Sequence, residues 1–561
     1  MRHIYTIVAV AVMSLFAPRA VAQDFGGVTF NNEIATWSDL YNLSFTAHNF
    51  GSARTMGMGN AFTALGADMT SASLNPAGIG MYVDGDFSLS PMLQFAKTKT
   101  ANSDKFYNGV PRSEQEFRDH TERLSLASMG GVFTVYRSNG ALTNLNLGIV
   151  YNRIADFNQN TMSASIANPA TSSMANFMCT LSNVDGLQTN ADGTMSYGGD
   201  PYFWGATLAY KNGVTNKDDK GWFIDRIADY AEIDQYAATE VRGSLGEYDL
   251  SVGMNFCDII YVGASLGIQS LTYDRNTFYG ENYFYAGGNY PSGKDMPYQL
   301  DYMNYVQRTY LSGTGINLKL GVTARPVSWW RVGVAYHTPT LMNMSLHYSA
   351  DMWSETYSAG DNPDGYDLTN QGYAYFNEST PQWEDVGEYA WNYASPSRLL
   401  IGTAFTLGKR AIISADYERS WYQSIHLRHS PIWGLDYTSI MKQVFKGGNT
   451  LRVGAECYVL PFMALRAGYI WSGNTLRKGF ENIIASHTMP VSQSYITAGL
   501  GLKLNESVYV DVAYQYGTTR YTDYQTFYYV DNSDSANDFG SRIFNDVTTK
   551  HIAVVTLGIR F

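Results

Sequence analysis

Charged side chains are scarce. Asp, Glu, Lys and Arg make up 16% of the 561 residues, where a soluble globular domain carries about 25%, so the chain needs another way to stay in solution or another solvent. Cysteine is nearly absent as well: Cys179, Cys257 and Cys457 lack CxxC spacing, which excludes a disulfide framework and a structural zinc site. Basic residues are outnumbered, 38 Lys and Arg against 50 Asp and Glu, for a formal net charge of -12. That leaves no cationic footprint for nucleic acid. Beyond the first residues no apolar run reaches the length of a spanning helix, so a membrane protein built from this chain has to cross as a closed barrel, because lipid tolerates no unpaired backbone group. What is plentiful is Tyr (43) and Gly (52), with Asn, Ser and Thr, a mixture of strands and turns.

Residues 1–22, MRHIYTIVAVAVMSLFAPRAVA, open with Arg2, run apolar from about Ile7 to Ala17 and end on Ala20-Val21-Ala22, the form of a secretory signal peptide. Pro18 and Arg19 interrupt the run and argue against an anchor. The mature chain is expected to begin at Gln23.

From there the dominant period is two. Val508, Val510, Val512, Tyr514 and Tyr516 share one face while Ser507, Tyr509, Asp511, Ala513 and Gln515 share the other. The same alternation sets Leu250, Val252 and Met254 against Asp249, Ser251 and Gly253, and Ile316, Leu318 and Leu320 against Asn317, Lys319 and Gly321. In a soluble sandwich the wet face is rich in Lys and Glu; here it is Gly, Ser, Asn and Tyr, which suits a crowded lumen. Coarse strands fall at 86–96, 124–137, 142–157, 239–256, 259–275, 305–325, 328–350, 396–408, 410–428, 445–459, 462–475, 492–504, 507–524 and 547–561, about 14 in all. Short turns such as Ser138-Asn139-Gly140, Cys257-Asp258, Pro326-Val327, Leu460-Pro461 and Asn505-Glu506 alternate with long segments, the pattern of an outer-membrane barrel with both termini on the periplasmic side. The expected fold is therefore all-β: a 14-stranded antiparallel transmembrane β-barrel.

The long segments read as solvated loops. In the insertion at 158–238, Trp222 to Tyr230 spaces its apolar residues helically, so short helices over the barrel mouth are expected. Trp329, Trp330, Trp421 and Trp471 fit interfacial aromatic girdles. Arg331, Asp416, Glu418, Arg452, Glu456 and Arg466 point inward and are expected to form a lumen charge network. No catalytic constellation emerges: the histidines lack HExxH spacing, and Gly57-Met58-Gly59 has no preceding strand and is a weak nucleotide-loop signal. No enzyme activity, metal or cofactor is expected.

Upstream of the first strand stand Gly51-Ser52-Ala53-Arg54-Thr55-Met56-Gly57-Met58-Gly59-Asn60-Ala61-Phe62-Thr63-Ala64 and Asn75-Pro76-Ala77-Gly78; downstream follow Gly313-Thr314-Gly315-Ile316-Asn317, Arg331-Val332-Gly333-Val334-Ala335-Tyr336 and Leu465-Arg466-Ala467-Gly468-Tyr469. In these segments the chain resembles the FadL/TodX/OmpP1 family of outer-membrane hydrophobic-compound channels, in the form common in Bacteroidetes. The resemblance implies a monomeric barrel, residues 86–561, whose segment 23–85 folds inward as a plug, or hatch. It implies passive, gated uptake of long-chain fatty acids or other hydrophobic molecules, held in apolar lumen pockets and released sideways through the wall. A strand kink is expected in the third strand, which has Gly148 at its middle. By the same likeness Asn75, Pro76, Ala77 and Gly78 form a hatch element, Phe25 and Phe62 are candidates for the ligand pocket or gate, and Phe561 is the terminal aromatic read by the barrel-insertion machinery. Outer-membrane lipid and a hydrophobic small molecule are the expected partners. Two other readings stand beside this one: a receptor for a hydrophobic ligand such as haem, held by His426 and His429, and an outer-membrane lipase.

Overall fold

Period-two alternation resolves into inward polar and outward apolar side chains around a closed ladder. The computed structural model describes residues 37–45, 49–102, 106–107, 110–111, 115–184, 204–228, 231–285, 298–358, 388–408, 410–428, 437–480, 484–485, 488–529 and 539–561. Fourteen strands make the wall: β1 Asp86–Asn102, β2 Glu116–Arg137, β3 Leu142–Asp156 continued by Gln159–Pro169, β4 Ala231–Phe256, β5 Ile260–Tyr285 and β6 Tyr298–Val327. Next come β7 Trp330–His337 with Leu341–Ser358, β8 Glu388–Ala394 with Arg398–Leu407, and β9 Ala411–Ser420 with His426–Arg428. The ring is completed by β10 Gly448–Leu460, β11 Met463–Ser472, β12 Pro490–Lys503, β13 Val508–Gln525 and β14 Ile543–Arg560. Each wall strand pairs antiparallel with its sequence neighbours, and β14 returns to β1 in the register Asp86↔Arg560, which closes the ring.

The exterior is made for lipid. Leu250, Leu266, Ile268, Leu318, Leu320, Val322, Leu451, Val453, Leu465, Val512 and Leu557 are all exposed outward, bounded by Tyr248, Tyr336, Tyr417, Tyr469, Trp471 and Tyr514 on one side and Phe87, Phe133, Trp329, Phe405, Phe462 and Phe561 on the other. An apolar band between two aromatic girdles is the surface of a bacterial outer-membrane barrel. About 10 residues per strand suffice to cross. Yet β4, β5 and β6 run for 26, 26 and 30 residues, so this part of the wall stands roughly 40 Å clear of the bilayer at a tilt of ~40°.

Two local expectations shift. Trp222 begins no helix: Phe223–Asp225 is a short strand against Thr215–Lys217, because Asp218 accepts from the Lys220 and Trp222 amides and Gly221 turns at φ +86. The insertion's helices lie elsewhere, α4 Met174–Val184 and α5 Trp204–Lys211. β3 runs straight through Gly148 and breaks instead after Asp156.

Arginine on the lipid face at mid-depth has no water to reach. Leu320→Arg on β6 is expected to cost about 2–4 kcal/mol of folding free energy in bilayers, measured by the urea dependence of folding into lipid vesicles.

Candidate functional site

Within the ring of strands lies a segment that is mostly irregular: α1 Trp37–Ser44, α2 Ala53–Gly57, α3 Ser71–Leu74 and a 3-10 turn over Pro76–Met81. Its backbone groups need partners, and the wall supplies them. From β3, Asn144 Nδ2 donates to Tyr82 O at 2.8 Å and Asn146 Nδ2 to Ile79 O at 2.8 Å. From β13, Gln515 Nε2 donates to Asn49 O and Met56 O, each at 3.1 Å. Thr497 donates to Gly57 O at 2.9 Å, and the Asp416 carboxylate accepts from Thr63 N at 2.7 Å.

Close approach depends on glycine. Gly253, Gly263 and Gly321 are direct cross-strand partners, and so are Gly333 with Gly402 and Gly454 with Gly468. A β-carbon on Gly263 would overlap the carbonyl of Pro76, and one on Gly454 would overlap the carbonyl of Met58. Asn75 fits beside them. Its Oδ1 accepts from Ala77 N at 3.1 Å while its Nδ2 donates to Thr63 O at 2.6 Å and to Thr323 Oγ1 on β6 at 3.1 Å. Pro76 starts the 3-10 turn with no amide to satisfy, Ala77 is buried, and Gly78 N donates back to Asn75 O at 2.9 Å. Phe62 packs with Met58, Leu65, Leu74, Leu400 and Ala404 under the Arg54 guanidinium, away from the cavity described next. Phe25 lies outside the described residues.

Inward charges are paired in short chains. Glu418 meets Arg452 at 2.6 Å. Glu456 binds Arg466 at 2.7 Å and also Arg54 of the inner segment at 3.1 Å, and Arg466 reaches on to Asp511 at 2.6 Å. Asp416 serves the inner backbone rather than a cation. Among the described residues Arg331 joins no acid, and its Nε has no hydrogen-bond partner there. Sequence reasoning missed the second buried cluster, in which Lys319 binds Glu247 and Asp249, the latter at 2.5 Å, and Ser73 donates to Asp249 at 2.6 Å. Its signal was available: Asp249 and Lys319 sit on the wet faces of their strands.

Above the glycines is a cavity of about 1130 Å³ of empty space, part of it open to solvent. Asn42 of α1 and the following Phe45 form one side; Phe157, Thr239, Tyr273, Tyr305, Tyr521 and Tyr524 are among the rest. It is less apolar than expected, since Asp156, Arg275 and Lys550 also reach it. Arg275 is held by Asp39 of α1 at 2.6 Å. Among the described residues, Lys550 Nζ donates to Asp156 O at 3.5 Å. Such a lining is amphipathic: aromatic faces edged by hydroxyls and amides.

This cavity abuts a gap in the wall. The β2–β3 ladder stops at Ser128↔Asn152, and residues 116–126 of β2 pair only with β1. Past its break at Phe157–Asn158, β3 leans inward and continues on β4. Side chains bridge the gap: Arg123 to Asn158 Oδ1 at 2.7 Å, Arg153 Nε to Leu126 O at 3.2 Å, and Asn160 to His120 O at 3.3 Å. Leu124, 75% exposed, stands outside it. The opening faces the upper edge of the apolar band.

A cap closes the top. α4 docks where Glu281 of β5, far above the band, accepts from Tyr279 and Tyr283 at 2.6 Å and from Gln235 and Met174 N at 2.8 Å. Burial raises the Glu281 carboxyl above its ordinary range, and these hydrogen bonds draw it part of the way back. The terminal Phe561 lies at the opposite end, its ring 6.0 Å from Phe133 on the outer surface. His426 begins the exposed tip of β9, its Nδ1 3.5 Å from Thr438 Oγ1; His429 is outside the described residues.

No family model and no curated protein matches the sequence. Among solved structures, the Pseudomonas putida toluene transporter TodX aligns with 93% of this chain and 99% of its own at 10% identity and a TM-score of 0.45. A Pseudomonas aeruginosa FadL homologue aligns with 92% and 98% at 13% identity and 0.49, and the Ralstonia pickettii toluene transporter TbuX with 93% and 99% at 13% and 0.43. At such identities no residue's role carries across.

Two outcomes follow from the charges. Glu456→Gln strips the shared carboxylate from Arg54 and Arg466, and is expected to loosen the inner segment by about 3–5 kcal/mol, seen as its earlier cleavage by trypsin along a urea series. For Glu281 the native state holds the proton more tightly than the unfolded chain, so its stabilisation is full below the unfolded value of ~4.3 and declines as pH rises through the native one. Protection of the Met174–Val184 amides is expected to be greatest in acid and to fall as pH rises above about 4, and to lose that dependence in Glu281→Gln.

Proposed function

We propose that the chain is an outer-membrane channel that takes up hydrophobic small molecules passively, binding them in the lumen cavity and exchanging them sideways through the wall. The observation that carries this reading is the coincidence of that cavity with a long stretch of β2, residues 116–126, that lacks a backbone ladder to β3 among the described residues. A ladder is what makes a barrel wall impermeable. Where it is replaced by Arg123, Arg153 and Asn160 side chains, separating two strands breaks a few part-buried or exposed hydrogen bonds of about 0.5–3 kcal/mol each.

Apolar molecules bind there by leaving water, at about 25 cal/mol per Å² buried, and the Tyr, Thr and Lys550 edges accommodate a polar head. Long-chain fatty acids fit this division, and so do smaller hydrocarbons. The segment 23–85 acts as the hatch: it seals a lumen too wide for wall side chains to fill, and a shift of α1 changes the cavity it borders. The chain works as a monomer embedded in outer-membrane lipid, with Phe561 read by the barrel-insertion machinery.

Mass spectrometry of whatever accompanies the detergent-purified protein is expected to find a long-chain acid or another hydrophobic molecule. Vesicles carrying the protein are expected to take up a fluorescent fatty acid, and to lose that uptake when residues 23–80 are deleted. No bound hydrophobic molecule, together with free passage of small sugars, would count against the reading.

A further inference from the structure

Just above the upper aromatic girdle, the outward side chains change character around the ring. Over β5, β6 and β7 the two rows beyond the level of Tyr248 are Ser270, Thr314 and Asn343, then Thr272, Ser312 and Ser345, neutral throughout. Over β13, β14, β1 and β2 they are cationic. Phe95 on β1 ends the apolar band, level with His551 and Tyr516, and the next row sets Lys97 directly against His120 of β2 and Thr549 of β14. The row above aligns Lys99 with Arg118 and, across Val547, with Arg520. Lys97, Lys99, Arg118, His120 and Arg520 are all exposed, in a chain whose formal net charge is -12.

Acids lie above and below these two rows rather than in them. Glu116, one row higher, accepts from Arg118 Nε at 2.6 Å and also binds Lys99, so two cations share one carboxylate. Asp523 in that higher row accepts from Asn545 at 3.0 Å, and Glu122 lies a row below His120, beside Phe95. Lys97 and Arg520 form no ion pair among the described residues. Between β1 and β13, β14 presents only the short Thr549 and Val547 at this level, so the long side chains of strands about 10 Å apart overhang a shallow trough. Below, the trough runs into the lipid-facing surface through Phe95, Leu93 and, directly across from Leu93 on β2, Leu124.

We propose that this patch docks a phosphorylated lipid of the outer leaflet. The head-group phosphate lies in the trough between Lys97 and Arg520, next to the surplus charge of Lys99 and Arg118, and the acyl chains run down over Phe95, Leu93 and Leu124. Charge and depth together select that occupant: the cations oppose a phosphate, and they stand in the head-group layer, continuous below with the apolar band. A soluble anion would use the first property and ignore the second. Higher on the wall, where only water surrounds the strands, an outward cation such as Arg308 is paired with Asp274; in this collar Lys97 and Arg520 are left for a partner from outside. Bound there, the lipid lies against the outer face of residues 116–126, alongside the wall gap. The inference needs only the barrel's place in the outer membrane and is independent of the transport reading.

The test titrates the full-length protein in neutral detergent with monophosphoryl lipid A and reads bound lipid by native mass spectrometry; the same lipid stripped of its phosphate, and inorganic phosphate, are separate arms. The phosphorylated lipid is expected to bind and the other two are not. Lys97→Gln/Arg520→Gln is expected to weaken binding roughly thirtyfold, at about 1 kcal/mol for each cation facing an anionic lipid. Lys97→Arg/Arg520→Lys, which keeps the charge, is expected to retain it. Arg242→Gln/Arg308→Gln, which removes as much charge from the outer face higher on β4 and β6, is expected to leave it unchanged. Equal binding of the stripped lipid, equal loss in both Gln pairs, or no loss in Lys97→Gln/Arg520→Gln overturns the proposal. Binding of inorganic phosphate as strong as that of the lipid overturns it too, because the site is then one for a soluble anion.

Discussion

Backbone meeting backbone is the contact on which this architecture rests. The inner segment lies so close to the wall that Pro76, Met58 and Gly59 touch strand positions with no room for a β-carbon, at Gly263, Gly454 and Gly468. At that distance dispersion contacts are dense, but irregular backbone also loses its water, and each buried amide or carbonyl left alone costs about 1–3 kcal/mol. The wall answers with side chains of the right reach. Asn144, Asn146, Thr497 and Gln515 donate to inner carbonyls, and Asp416 accepts an inner amide. Glycine gives proximity and the amides give satisfaction; neither serves without the other.

Legibility of the sequence follows the solvent. Where strands cross lipid, one face has to be oily, and the alternation around Leu250, Leu320, Val453 and Val512 placed every strand of the wall. Beyond the bilayer that demand lapses: Asp274 and Arg308 face outward on β5 and β6, and the upper ends of these strands read as loops. The path of the inner segment was hidden for another reason, because its contacts are drawn from strands hundreds of residues apart. Inward glycines recurring at one height were the available sign, and they only stand out once the strands are in register. Charged residues were half legible. Inward parity identified Glu418, Arg452, Glu456 and Arg466, while Arg54, which ties the network to the inner segment, sits where no period exists.

Placement of the ion pairs matches their environment. Deep carboxylates such as Glu456 and Glu247 each meet a cation or several donors, which offsets the heavy cost of burying a lone charge. The wall gap, by contrast, is bridged by side chains that are part-buried or exposed, without a backbone ladder behind them.

α1 is bordered on both sides by open space, with Phe45 toward one chamber and Leu43 toward the other, and Asp39 and Tyr41 tether it to Arg275 and Thr475. A partition of this kind has one volume to share. Any shift of the helix toward either side strains the same two tethers, so the free volume on its two flanks cannot change independently.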